Sequence, residues 1–206
     1  MAIVALCCFS GFIMVLITAV FFLGALEWIQ LCENIMRKKP DLNDQMPSKL
    51  LAGLSILAVF VLSGLNMNQY YRTDFIRTLL LVWTSDISAY FAGSWSKYSG
   101  LETLAIKPWP HISPNKTLGG SLGSYFMCLL IGQGLGFDFL DCSLVSFCAQ
   151  LGDLVESHLK RLADQKDSNL TGIRYTRIPG HGGILDRIDG LVITVPVMFV
   201  KKCIGL

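Results

Sequence analysis

Long apolar runs alternate with short polar stretches along the whole chain, and the runs have the length of bilayer-crossing helices. Residues 2–26 carry no charge, about 38 Å of helix at 1.5 Å per residue. A polar stretch at 37–47, with Pro40, Asn43 and Pro47 in it, reads as a loop. Further apolar runs follow at 50–65, at 76–92 with Asp86 inside, and at 118–137, which is rich in glycine. The run at 140–159 is apolar at first and then carries Gln150, Asp153 and Glu156, and the last spans about 185–200. Polar loops at 93–116 and 160–183 separate them. This pattern predicts an all-α, polytopic transmembrane helix bundle of about six spans. The first run is also long enough for two short passes.

Lys and Arg test that topology, because cytoplasmic loops are enriched in them. The loops after runs one, three and five carry Arg37, Lys38, Lys39 and Lys49, then Lys97, Lys107 and Lys116, then Lys160, Arg161, Lys166, Arg174 and Arg177. The alternate loops hold only Arg72 and Arg77, so both termini are expected outside, with Lys201 and Lys202 mildly opposed. A cleaved signal peptide fits poorly: the start lacks basic residues and a clean small-residue cleavage site. Charged residues make up 16% of the 206 positions, against about 25% in soluble domains, which again points to lipid as the solvent. A net charge of +2, with no basic stripe, argues against nucleic acid. The seven cysteines show no metal-ligand spacing and are expected as buried thiols.

Ionisable groups inside spans cost about 3 kcal/mol each on insertion scales, so they face protein or water and mark chemistry. Asp86, Asp153, Glu156, Asp186 and Asp189 are such groups. Structural roles exist for some: Asp86 as a cap, Glu156 as an i,i+4 partner of Lys160. Asp153 and Glu156 share a helical face, and Asp186 and Asp189 repeat that spacing. Two acidic faces at the mouth of a bundle would suit Mg²⁺, which takes few carboxylates and completes its shell with phosphates and water. Lys116, Lys160, Arg161, Lys166 and Arg187 supply cations for a polyphosphate, and Gly180, Gly182 and Gly183 offer backbone N–H groups before a helix. Together these imply phosphoryl or nucleotidyl transfer at a membrane surface.

The residues also carry a specific likeness. Ser157-His-Leu-Lys-Arg-Leu-Ala-Asp-Gln-Lys-Asp-Ser168 and Ile178-Pro-Gly-His-Gly-Gly-Ile-Leu-Asp-Arg-Ile-Asp189 closely resemble the signature of phosphatidate cytidylyltransferases (CDP-diacylglycerol synthases). Asp86-Ile-Ser-Ala-Tyr-Phe-Ala-Gly93, Ser113-Pro-Asn-Lys-Thr117 and Gln150-Leu-Gly-Asp-Leu-Val-Glu-Ser157 resemble its other elements, in family order, over residues 86–189. Two departures stand out: Gly119 where many members have Glu, and a longer link at 169–178. The N-terminal part is short for the family.

The resemblance implies N-terminal membrane spans over 1–75 and a catalytic membrane domain with cytoplasmic loops over 76–206. It implies CMP transfer from CTP to phosphatidate, giving CDP-diacylglycerol and pyrophosphate, with Mg²⁺ and with a second, monovalent cation left open. Asp153 and Asp186 are expected as metal ligands, supported by Glu156 and Asp189. Lys160 and Arg187 join Asp153, Asp186 and Asp189 as catalytic candidates. Ser113, Lys116, Thr117, Arg161, Lys166, Asp167, Gly182 and Gly183 are expected around the substrates. His181 is left between a phosphate contact and an anchor for the glycine turn. The setting implied is a bacterial inner membrane with the site on its cytoplasmic side; a homodimer is left open. The alternatives are a CTP enzyme for a different lipid, a transporter, or a non-catalytic homologue. Three further signals are set aside. Asn115-Lys-Thr117 and Asn169-Leu-Thr171 are sequons in expected cytoplasmic loops. Gly132-x-Gly-x-Gly136 reads as helix packing rather than a nucleotide loop. Trp83, Tyr90 and Trp95 are interface anchors or the lining of a lipid groove.

Overall fold

The computed structural model describes residues 10–164 and 183–205. Among the described residues all regular structure is helical: α1 (Ser10–Lys38), a 3₁₀ turn (Pro40–Gln45), α2 (Met46–Tyr70), α3 (Arg72–Tyr98), the short α4 (Glu102–Ala105), α5 (Leu118–Gly134), α6 (Phe139–Leu162) and α7 (Leu185–Cys203). Two of these are long and apolar enough to cross a membrane, residues 11–38 with mean hydropathy 2.3 and residues 46–70 with 2.1. The others are more polar because they carry the charges that build the site and the far end of the bundle. Two helix ends differ from the apolar runs. α1 passes straight through Glu27 to Lys38, as one helix over its described residues, and α3 continues past Gly93 to Tyr98.

Helix α3 packs on α5, α6 on α7, and α1 on α2, while α5 and α2 bridge these pairs through α6 and α7. One core runs through the assembly, with Ile17, Leu57, Phe60, Met67, Leu81, Val145, Ile188 and Val195 buried in it. The outward faces are also apolar: Val15, Phe22, Leu51, Leu62, Phe91, Phe126, Leu130 and Phe147 are all exposed. Glycines set the closest crossings. A Cβ on Gly152 would overlap the Asp189 carbonyl oxygen, so α6 and α7 touch backbone to backbone there. Gly132 meets the Cys142 thiol in the same way, so it serves helix packing, and Gly136 turns the chain with φ +86°. A Cβ at Gly119 would lie 2.7 Å from Ser96 Cβ, so a larger side chain has no room at this position. Cys32, Cys128, Cys142 and Cys148 are buried free thiols, while Cys203 is exposed.

An ion-pair network closes the end of the bundle away from the loops. Asp138 caps α6 by accepting from the Asp141 N–H at 2.6 Å, which, with Lys201 beyond it, holds its carboxyl below the usual range. The buried Lys201 ammonium pairs with Asp141 and, at 3.4 Å, with Asp138. Lys202 reaches Asp74 at 2.9 Å, and Arg77 reaches the same carboxylate at 3.7 Å. The two C-terminal lysines that run against the loop-charge pattern are therefore matched by acids of α3 and α6. Replacing Lys201→Met strands the Asp141 carboxylate, only 10% exposed, and is expected to cost about 3 kcal/mol. Thermal unfolding checks this. Lys201→Met combined with Asp141→Asn should recover most of the loss; equal destabilisation in both variants would rule out a charge effect.

Candidate active site

Four helices and one loop surround a polar cavity of about 870 Å³, large enough for a nucleotide. Helix α3 contributes Asp86, Tyr90, Gly93 and Lys97, spaced by three or four residues and so on one face. Helix α6 gives Gln150, Asp153 and Lys160 by the same rule, and the first turn of α7 gives Asp186 and Asp189. Ser113, Asn115, Lys116 and Thr117 come from the loop before α5.

Small residues bring that loop onto α3. A Cβ on Gly93 would lie 3.3 Å from Thr117 Oγ1, and one on Gly120 would press the Ala89 carbonyl at 2.9 Å. Thr117 is the N-cap of α5: its Oγ1 accepts from the Gly120 N–H at 3.1 Å and bonds Ser96 Oγ at 3.0 Å, satisfying a helix-end donor. Arg161 Nε donates to the Ile112 carbonyl at 3.2 Å, tying the loop to α6. Held this way, Lys116 reaches Asp153 with Nζ 2.7 Å from Oδ2.

Lys160 forms the second centre. Its Nζ lies 2.8 Å from Glu156 Oε2 and 2.5 Å from Asp186 Oδ1, and all three side chains are at most 14% exposed. The other Asp186 oxygen accepts from the Gly183 N–H at 2.6 Å, so both oxygens of this carboxylate are directed. Asp189 Oδ1 accepts from the Gly190 N–H. Among the described residues the cavity lining thus sets Asp86, Asp153, Asp186 and Asp189 against Lys97, Lys116 and Lys160, with no surplus of positive charge.

The donor chemistry fits a hard cation such as Mg²⁺, since carboxylate oxygens line the cavity and phosphate can complete the shell. Among the described residues no three His, Cys, Asp or Glu side chains already stand in ligating arrangement; lysine ammonium groups occupy oxygens of Asp153 and Asp186. Cation binding here would exchange against lysine.

Of the site residues expected from the sequence that are described, the cavity gathers Asp153, Asp186, Asp189, Lys160, Lys116, Ser113 and Thr117. Glu156 sits behind them, buried, bonded to Lys160 as i,i+4 spacing suggests, with Oε1 unpartnered. Arg187 is exposed and outside the cavity lining, because the position after Asp186 points about 100° away around the helix. Gly183 gives its N–H to Asp186 Oδ2. Lys166, Asp167, His181 and Gly182 lie outside the described residues, as does the 169–178 link. Tyr90 lines the cavity while Trp83 and Trp95 are exposed on α3.

The lining also includes residues given no site role from the sequence, among them Asp86, Lys97, Asn115 and Gln150. The α3 pair was legible as i, i+4, i+7, i+11 spacing from Asp86 through Tyr90 and Gly93 to Lys97. Glu27 was missed altogether. It is 1% exposed, and its two oxygens accept from the Ile184 and Leu185 N–H groups, each at 2.9 Å.

A family model described as the cytidylyltransferase family matches residues 1–203. A phosphatidate cytidylyltransferase of Bacillus subtilis (strain 168) is 37% identical over 144 residues, 65% of this chain and 49% of that protein. One from Staphylococcus aureus (strain COL) is 38% identical over 152 residues, 66% and 53% of the two chains. A third, from Brucella abortus biovar 1 (strain 9-941), is 35% identical over 159 residues, 72% and 53%. The chain spans about half the length of these curated relatives.

Proposed function

The chain belongs to the cytidylyltransferase family, and from that premise we propose that it transfers CMP from CTP to phosphatidate. A phosphate oxygen of phosphatidate attacks the α-phosphorus of CTP, the bond from that phosphorus to the bridging oxygen breaks, and pyrophosphate leaves. CDP-diacylglycerol is the product. The observation that carries this reading is the cavity in which Asp86, Asp153, Asp186 and Asp189 face Lys97, Lys116 and Lys160. Such a site works by positioning and by neutralising charge, with no covalent intermediate on the protein.

Lys116 and Lys160 swing between carboxylate and phosphate partners, so each substrate phosphate replaces an internal ion pair. Lys97 stands at the opposite wall for the second anion. Glu156 keeps Lys160 charged and aimed. Asp153, Asp186 and Asp189 would hold Mg²⁺, which supplies the positive charge that the matched lysines lack. Asp86 faces the same space from α3.

The same reading makes the chain a membrane protein of a bacterial inner membrane, with six spans formed by α1, α2, α3, α5, α6 and α7. The apolar outward faces of these helices support this, since aqueous surfaces rarely expose such continuous hydrophobic area. The site lies at the end of the bundle that carries Lys97, Lys116, Lys160 and Arg161, and the positive charge there supports a cytoplasmic setting.

Purified folded protein in detergent or nanodiscs, given phosphatidate, α-³²P-labelled CTP and Mg²⁺, should form labelled CDP-diacylglycerol and release pyrophosphate. Absence of lipid-soluble label from folded protein would reject the reading.

A further inference from the structure

We propose that Glu27, in α1, is the positioning residue for the acidic turn of α7, a role that rests on the cytidylyltransfer reading above. Glu27 is the first charged residue of α1, at the end of its apolar run, and is almost fully buried. A carboxylate there is costly unless it is hydrogen bonded. Its two oxygens each take one backbone N–H, from Ile184 and Leu185, at 2.9 Å. These are donors at the start of α7, where a helix has no internal partners for its N–H groups. Ile184 itself provides no capping side chain. The cap of α7 therefore comes from a residue 157 positions away, and its negative charge suits the positive end of the helix dipole.

The consequence falls on the cavity. Asp186 follows directly after the two capped residues, and Asp189 stands one turn further along. The next N–H back along the chain, that of Gly183, is taken by Asp186 Oδ2, so Glu27 and Asp186 together take three successive N–H groups at the start of the helix. The contact of Gly152 with the Asp189 backbone fixes α7 sideways against α6. Glu27 fixes it along its axis and in rotation. With both constraints, Asp186 meets Lys160 and Asp189 faces Asp153; without the cap, the first turn is free to fray and both carboxylates lose their setting. Helix α1 thus takes part in the site although none of its residues lines the cavity.

The test compares wild type with Glu27→Leu and Glu27→Gln in nanodiscs, by steady-state kinetics and by hydrogen–deuterium exchange of a peptide covering residues 183–190. Leu removes both acceptors and also removes a charge from a span, so it is not expected to lower the unfolding temperature. Gln keeps one acceptor. Glu27→Leu should lower kcat by about a hundredfold, the scale of a 1 Å misplacement, with the KM for CTP changed by less than about threefold, because Lys97 and Lys116 lie on elements that Glu27 does not touch. Gln should fall between. Exchange at the start of α7 should accelerate in Leu, less in Gln, while peptides of α3 and α5 stay as in wild type. Unchanged exchange, or faster exchange with kcat within twofold of wild type, overturns the proposal. A loss of kcat matched by general exchange across the bundle also overturns it, since that marks a merely structural residue. Wild-type protein that makes no CDP-diacylglycerol defeats the activity reading instead, and the exchange measurement still decides whether Glu27 anchors α7.

Discussion

Asp186→Asn is expected to lower kcat by about a thousandfold, the upper range for removing one preorganised electrostatic group, while the protein stays folded. Both oxygens of Asp186 are committed, one to the Lys160 ammonium at 2.5 Å and one to the Gly183 N–H at 2.6 Å. An amide has a single acceptor. Whichever way it turns, its NH₂ group faces a donor, either the ammonium or the backbone N–H. Lys160 then keeps only Glu156, and one negative charge disappears from the wall proposed to hold Mg²⁺. The expected signature is a loss of kcat with an unfolding temperature within a few degrees of wild type. Asp138→Asn serves as the control, since it lies at the opposite end of α6, about 20 Å from Asp153 along the helix axis, and should leave kcat unchanged. Near-normal turnover of Asp186→Asn at ordinary Mg²⁺ would remove Asp186 from the machinery.

The helices were legible because apolar runs in this chain coincide with buried or apolar outward-facing surface, and the acids were legible because they interrupt those runs. Asp153, Asp186 and Asp189 stand out for that reason, and the cavity brings them together. Local spacing also gave the Glu156–Lys160 pair, which needs only one helix. What local spacing cannot give is a partner from a distant segment. Glu27 looked like the polar end of the first run; in the fold it is solvated by the N–H groups of α7, so α1 has no reason to stop there. In the same way Gly93 looked like the start of a loop, yet α3 continues because the missing side chain admits Thr117 and Gly120. Lys201 and Lys202 looked misplaced until Asp138, Asp141 and Asp74 were brought beside them. Arg187 goes in the other direction: beside Asp186 in sequence, it is exposed and turned away from the described cavity lining by the helix geometry.

Gly152→Ala separates helix propensity from packing, because the two predict opposite signs. On propensity alone, alanine in the middle of α6 should stabilise by about 1 kcal/mol. The added Cβ, however, would overlap the Asp189 carbonyl oxygen and stand 3.1 Å from Gly190 Cα. These are backbone atoms of a packed helix and cannot rotate away, so α6 and α7 must part. Overpacking of this kind costs about 2 kcal/mol, enough to reverse the propensity gain. The displaced groups are the neighbours of this contact, Asp153 on one helix and Asp189 on the other, both in the cavity wall. Turnover should therefore fall by about a hundredfold for a shift on the order of 1 Å, more than the modest loss of stability would explain. Gly134→Ala is the matched control, for nothing lies within 4 Å of its Cβ position; it should be neutral or slightly stabilising with full activity. Thermal unfolding and kcat measured on both variants decide the matter. A Gly152→Ala protein that is more stable than wild type and fully active would show that α6 and α7 do not cross at this glycine, and the facing of Asp153 and Asp189 would fall with it.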